Sequence, residues 1–274
     1  MKDIKLVAFD LDYTLLRTGG ALSAFTVETL RKAAEKGVLL VPATGRALCE
    51  MDMLLPQLPV RYFISVNGSV VWDLSEQKII YRALPDQDKI LEQIKQAVSM
   101  DIYTEVYCGE VYTNAYCYEN MEALGMAEDQ VPLFKATRTV VPDLYEEMAK
   151  RRQVEKLHVL FKDTEDKKRR QEPFLHHPDF AYTAAFINNL ELSGLHVDKG
   201  TGLAALANLL GIQREQVMAL GDGANDVPML SWAGLGVAME NAVPAAKEAA
   251  DALTQDNDSD GAALAICKWV LGEG

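Results

Sequence analysis

Positive charge is in short supply in this sequence of 274 residues: 27 Lys and Arg stand against 40 Asp and Glu, a formal net charge of −13. So acidic a chain is a poor partner for nucleic acid, whose phosphates are held by clustered Lys and Arg. It can still bind phosphate, but only through a local set of donors or a metal ion. Cysteine is scarce too. Cys49, Cys108, Cys117 and Cys267 are scattered with no C-x-x-C spacing, which argues against a disulfide framework and for free thiols in a reducing cytoplasm. His176 and His177 precede Pro178 in what reads as a loop, with no third ligand at a metal-binding spacing. No apolar run is long enough to cross a bilayer. The opening MKDIKLVAFDLD lacks the layout of a signal peptide, because Asp10 and Asp12 interrupt its apolar stretch. There are no internal repeats and no low-complexity segments. With 49% hydrophobic residues, the chain has ample material for a large core.

What is there alternates. IKLVAFD is a nearly continuous apolar run ending in an acid, the pattern of a parallel strand covered on both faces. FTVETLRKAAEKG has helical spacing and a glycine stop at Gly37. VLLVPATG predicts a second buried strand, ALCEMDMLLPQL a second helix and RYFISVNG a third strand. Strands alternating with helices imply a parallel sheet with right-handed crossovers. VVWDLSEQKIIYRAL then predicts a hairpin. From about Pro85 the texture changes to two β-rich runs around Cys108-Gly109, a helix (PDLYEEMAKR), a strand (EKLHVLF), a polar helix (TEDKKRRQEPFLHH) and two further strands (FAYTAAF, NLELSGL). Alternation returns with KGTGLAALANLLG, VMALGDG, NDVPMLSWAG, LGVAM and GAALAICKWVLG. The expected fold is α/β: a doubly wound parallel-sheet core formed by residues 1–83 and 193–274, with an α+β domain inserted at 84–192.

Four features fall at ends of predicted core strands, where an open parallel sheet forms its ligand crevice. Asp10-Leu11-Asp12 places two carboxylates in an apolar setting, costly unless a cation holds them. Thr44-Gly45-Arg46 offers a hydroxyl and free N–H groups suited to an anion. Lys199 opens the helix after the insertion. GDGANDVPML sets Asp222, Asn225 and Asp226 on a strand-to-helix turn. Each alone has a bland reading as a turn, a solvated loop or a surface charge, and D-G-x-N-D also resembles a calcium-loop pattern. Their order on successive strand ends is far more specific.

D-x-D-x-T-L, T-G-R, K-G and G-D-G-x-N-D together resemble the haloacid dehalogenase superfamily, and the large insertion resembles the Cof-type phosphatases with a type IIB cap. Asn67-Gly68, Asn241-Ala242 and the closing DNDSDG agree. The resemblance implies a phosphatase acting on a small-molecule phosphate ester, with Mg²⁺ as cofactor. Asp10 would be the nucleophile, and Asp12 the acid and then the base. The metal ligands would be Asp10, the main-chain carbonyl of Asp12, and Asp222, supported by Asp226. Leu11 and Gly45 (through their amides), Thr44, Lys199 and Asn225 would hold the phosphoryl oxygens. Sugar phosphates are the best guess at substrate, with Arg46, Lys156, Glu191 and Tyr13 as further candidates for contact; no oligomeric state is implied.

Tyr13 departs from the family pattern, which has Gly after the second Asp. A position requiring positive φ would cost a tyrosine about 1–2 kcal/mol; otherwise its ring points toward the cap and substrate, the reading we prefer. A dehalogenase is disfavoured by the presence of Asp12, and an ion-pumping ATPase by the absence of membrane helices. A phosphosugar mutase of the phosphomannomutase type and a catalytically silent phosphoryl-ligand-binding regulator are the remaining alternatives.

Overall fold

The apolar run before Asp10 becomes the strand Leu6–Phe9, every side chain of which is buried. In the computed structural model, which describes residues 3–184 and 186–273, this strand is second from one edge of a five-stranded parallel sheet. Leu39–Pro42 lies on one side of it; on the other follow Val217–Gly221, Leu235–Ala238 and Ala252–Leu253. The longer strands are apolar throughout because helices cover both faces. The helices begin where the sequence supplies caps: Ser23 accepts from Thr26 N–H ahead of Ala24–Glu35, and Asp198 from Thr201 N–H ahead of Lys199–Leu210.

Two expectations need correcting. RYFISVNG does not extend the parallel sheet as a full strand. Tyr62–Ser65 instead opens an antiparallel sheet with Val70–Asp73 and Lys78–Arg82, joined to the first by a single parallel bridge, Ala43 to Ile64. The predicted helix ALCEMDMLLPQL is two short 3₁₀ turns, Leu48–Glu50 and Leu55–Gln57. Pro56 lacks an N–H and disfavours helical backbone at the residue before it. Glu50 meanwhile turns its side chain back onto the N–H of Ala47.

The chain divides into two units. The first comprises Met1–Arg46, Asp52–Arg82 and Asp198–Gly274, and the second Ala47–Met51 and Ala83–Val197. That five residues just after Thr44-Gly45-Arg46 belong to the second unit was not legible from the sequence. The second unit is built on a six-stranded sheet in the order Phe180–Thr183, Asn189–Gly194, Lys156–Leu160, Tyr103–Cys108, Glu110–Asn114 and Arg138–Val141, antiparallel except for its last pair. The helices Gln87–Ser99 and Leu144–Arg151 join a core that includes Ile90, Val106, Leu144, Met148, Leu157 and Leu192. Because side chains alternate along a strand, the residues between those core positions face the other way. Glu105, His158 and Glu191 stand in one row across three strands, all buried.

Candidate active site

The register of the parallel sheet assembles the site. Phe9 lies beside Pro42 on one side and Leu220 on the other, so Asp10, Ala43-Thr44 and Gly221-Asp222 leave the sheet together at its carboxyl edge. Asp10 N–H still bonds Leu220 O at 3.0 Å, and Ala43 N–H bonds Phe9 O at 2.9 Å. Into this edge comes the first residue of the helix Lys199–Leu210. Gly68 makes the approach possible: its φ is +96°, and a Cβ there would stand 2.0 Å from Asp198 O. A side chain at either requirement would push the helix start away.

Lys199 is completely buried, and its ammonium lies 2.6 Å from Oδ1 of Asp10 and 2.6 Å from Oδ1 of Asp226. Asp226 turns its other oxygen to the N–H groups of Asp222 and Gly223, at 2.9 and 2.8 Å. Both its oxygens are therefore already engaged by the protein. Asp222 accepts the hydroxyl of Thr14 at 2.7 Å. Asp10, Asp222 and Asp226 each place an oxygen within 4.8 Å of the others, a group able to hold a metal ion. Burial pushes Asp10 up to about 7 despite Lys199, and Asp226 adds repulsion. Burial likewise raises Asp222 to about 6. For Lys199, desolvation works against the charge, but Asp10 and Asp226 outweigh it and hold the ammonium above its ordinary value. Carboxylates kept this close disfavour full ionisation unless a further cation arrives, and an all-oxygen donor set suits a hard divalent ion.

Asp12 follows on a turn whose ends are closed by Leu15 N–H to Asp10 O and Leu16 N–H to Leu11 O. Its carboxylate is gripped through both oxygens by the guanidinium of Arg46. Tyr13 has φ 60°, ψ 10°, so this position does require left-handed backbone, against the reading preferred from the sequence, and the residue is 59% exposed. Asn241 donates to the carbonyl of Tyr13 at 2.8 Å, and Asn257 to that of Leu16 at 3.1 Å. The closing DNDSDG also holds Arg17 through Asp260 and Thr18 through Asp258. Tyr13→Gly is expected to leave stability unchanged or to raise it by up to about 1 kcal/mol, since relief of about 1–2 kcal/mol of strain outweighs the extra chain entropy of glycine. Thermal denaturation checks this; a clear fall would mean that the ring has stabilising partners.

Thr44 is buried; its N–H bonds Ile64 O at 3.0 Å and its carbonyl accepts from Asn67 N–H at 2.9 Å. Gly45 faces Asn67, whose Oδ1 would lie 3.2 Å from a Cβ on it. Asn225 donates to the same Oδ1 at 3.1 Å. The structure thus brings Asp10, Lys199, Asp222 and Asp226 into one bonded group and pairs Asp12 with Arg46, with Thr44, Gly45 and Asn225 gathered around Asn67. Thr14 was missed, being hidden in D-x-D-x-T-L, and Asn67 and Asn241 stood in the sequence only as minor signatures. Lys156 and Glu191 lie in the second unit as a buried ion pair at 2.9 Å; Glu191 also accepts from Thr183 at 2.9 Å, and the ammonium sits 3.9 Å from the Tyr107 ring centroid.

Comparison with known proteins follows the same lines. A sequence profile described as haloacid dehalogenase-like hydrolase matches residues 7–266. The chain is 31% identical over 278 residues to the 5-amino-6-(5-phospho-D-ribitylamino)uracil phosphatase YcsE of Bacillus subtilis, covering 98% of this chain and 97% of that one. It is 28% identical over 286 residues to YwtE of the same organism, a phosphatase of the same name, with 98% and 99% covered. Among solved structures it is similar to a haloacid dehalogenase-like hydrolase from Bacteroides thetaiotaomicron, with a TM-score of 0.82, 27% identity and 97% and 99% of the two chains covered.

Proposed function

The chain belongs to the haloacid dehalogenase-like hydrolases and is a phosphoric monoester hydrolase, and from that premise we propose that it is a Mg²⁺-dependent phosphatase of small phosphorylated sugars or polyols, working through a phospho-aspartate on Asp10. The observation that carries the reading is the group formed by buried Asp10 and Asp226 with half-buried Asp222, their oxygens within 4.8 Å of one another and the ammonium of Lys199 on two of them. Two relatives named for a phosphorylated ribityl compound favour a polyol phosphate as substrate.

In this reading a carboxylate oxygen of Asp10 forms a bond to phosphorus as the bond to the ester oxygen breaks. Asp12 gives its proton to the departing oxygen, then takes one from the water whose oxygen attacks phosphorus, releasing phosphate and restoring Asp10. The amides of Leu11 and Gly45, the Thr44 hydroxyl, Asn225 and Lys199 bear the phosphoryl oxygens, where charge spreads in the transition state. Asp10, the Asp12 carbonyl and Asp222 would hold Mg²⁺, which when bound screens the repulsion between carboxylate and phosphate. Asp226, already bonded through both oxygens, orients Lys199 and the Asp222–Gly223 turn instead. The second unit, with its buried Lys156–Glu191 pair, we assign to selection of the leaving group.

Phosphate release across a panel of phosphorylated metabolites tests this. Activity is expected to disappear with EDTA, to return on adding Mg²⁺, and to be highest on sugar or polyol phosphates. Hydrolysis indifferent to chelation would sink the metal-dependent mechanism, and a product that is an isomer of the substrate would replace hydrolysis with transfer.

A further inference from the structure

Three successive residues after the strand Tyr62–Ser65 have left-handed backbone: Val66 at φ 50°, Asn67 at φ 51° and ψ 36°, and Gly68 at φ 96°. Glycine adopts this conformation freely and asparagine tolerates it. A β-branched valine does not, and strain of this kind persists only where the surroundings fix it. The loop Thr44–Arg46 of the same unit supplies the fixing. Val66 N–H bonds Arg46 O at 3.1 Å, and Asn67 N–H bonds Thr44 O at 2.9 Å. The carbonyl of Thr44 and the N–H of Gly45 are opposite edges of one planar trans peptide. The bond from Asn67 therefore turns the Gly45 N–H away from the Val66–Gly68 turn and fixes its direction.

The side chain of Asn67 makes a second attachment. A Cβ on Gly45 would meet its Oδ1 at 3.2 Å, its Nδ2 at 3.4 Å and its Cγ at 3.6 Å, so the carboxamide lies in the space that a side chain at 45 would need. From there Oδ1 accepts from Nδ2 of Asn225 at 3.1 Å, joining two loops 158 positions apart. One residue thus directs a backbone donor through its N–H and a side-chain donor through its Oδ1. We propose that Asn67 is a positioning residue for the phosphoryl group, holding the Gly45 amide and the Asn225 carboxamide in one fixed arrangement on which phosphoryl oxygens dock. The inference rests on the reading of Gly45 and Asn225 as groups that hold those oxygens. An Asn67 present only because it tolerates left-handed backbone would leave anion binding alone.

Glycine at this position separates the two. It accepts left-handed backbone, so Asn67→Gly should keep the bond to Thr44 O and lose only the carboxamide. The probe is orthovanadate, a mimic of the five-coordinate transition state, and calorimetry with Mg²⁺ present reads its binding without turnover. Asn67→Gly is expected to weaken that binding about tenfold, less than the roughly 10²–10³ lost when a donor to such oxygens is removed outright, because here the donor is only released. The Mg²⁺ concentration that half-saturates the rise in melting temperature should change by less than about twofold, since the hydrogen bonds of Asn67 run to Thr44 and Asn225 rather than to Asp10 or Asp222. Adding Asn67→Gly to Asn225→Ala should cost less than about twofold further, because the side chain acts through Asn225. If Asn67→Gly does not fold, Asn67→Asp, which keeps an oxygen for Asn225 but sets a negative charge beside Gly45, must weaken vanadate binding at least as much. Unchanged vanadate affinity in either variant, with or without a lowered melting temperature, or additive losses in the double variant would each overturn the proposal. Wild-type protein that neither binds vanadate nor hydrolyses a phosphate ester with Mg²⁺ would end the phosphatase reading and this inference with it, whereas wild-type binding that the variants retain ends the inference alone.

Discussion

Asp10→Asn is expected to fold as the wild type does and to hydrolyse phosphate esters slower by on the order of 10⁴-fold or more, the scale seen when a covalent nucleophile is removed. The amide keeps the shape of the side chain but has no charged oxygen to attack phosphorus, and it is a weak metal ligand. Stability should not suffer. Burial already pushes the Asp10 carboxyl up to about 7, so its charge is held in place at a cost. Lys199 still has Asp226 at 2.6 Å once Asp10 is neutral. The melting temperature should therefore stay level or rise while turnover is lost. Single-turnover measurements with the wild-type protein should also trap acid-stable phosphate on the chain, and the variant should trap none. Substantial turnover by Asp10→Asn would remove this residue from the chemistry.

The second large effect concerns Lys199, and here stability and rate should fall together. Lys199→Met keeps the length and apolar stem of the side chain but withdraws the buried ammonium that faces Asp10 and Asp226. Breaking a buried ion pair from one side costs about 3–5 kcal/mol, because the remaining charge loses its compensation. For a chain of this size that corresponds to a drop in melting temperature of roughly 10 °C. Added Mg²⁺ should return part of it, since a cation that binds the folded carboxylates stabilises by mass action. Activity should fall about 10²–10³-fold with Mg²⁺ present, the range for loss of one charged or hydrogen-bonding group that meets the transition state. Combining Lys199→Met with Asp10→Asn should restore stability relative to Lys199→Met alone, as the variant then buries one carboxylate fewer. A single variant as stable as the wild type in EDTA would show that the triad of carboxylates does not depend on this ammonium.

The strength of the sequence reading lay where local chemistry and long-range topology coincide. The run IKLVAFD had to be a buried parallel strand, and the acid at its end had to sit at the carboxyl edge, so Asp10 was placed by pattern alone. Lys199 and Asp226 were found as motifs, but the sharing of the Lys199 ammonium between Asp10 and Asp226 is set by a helix docking through Gly68, which no local signal predicts. The failures differ in cause. ALCEMDMLLPQL has helical spacing, yet its Glu50 is drawn onto a buried arginine 88 positions further along the chain. RYFISVNG has strand composition, yet its partner is the hairpin that follows it more than the sheet before it. In the first case a tertiary contact outweighed a propensity worth only a fraction of a kilocalorie per residue; in the second the strand formed as its composition predicts and only its partner differed.

The double passage of the chain through its second unit also bears on how such enzymes can be recombined. A cassette cut at Ala83 and Val197 would look complete on a gene map, yet it would leave Ala47–Met51 behind. The stranded stretch carries Glu50 and the fully buried Met51, side chains shaped for a surface the graft no longer provides. A chimera must therefore inherit two separate pieces of gene together, or arrive with the Glu50 carboxylate deprived of Arg138. Exchange of the second unit between relatives should be far rarer by single crossover than the tidy insertion suggests, and engineered swaps should succeed only when both pieces travel as one set.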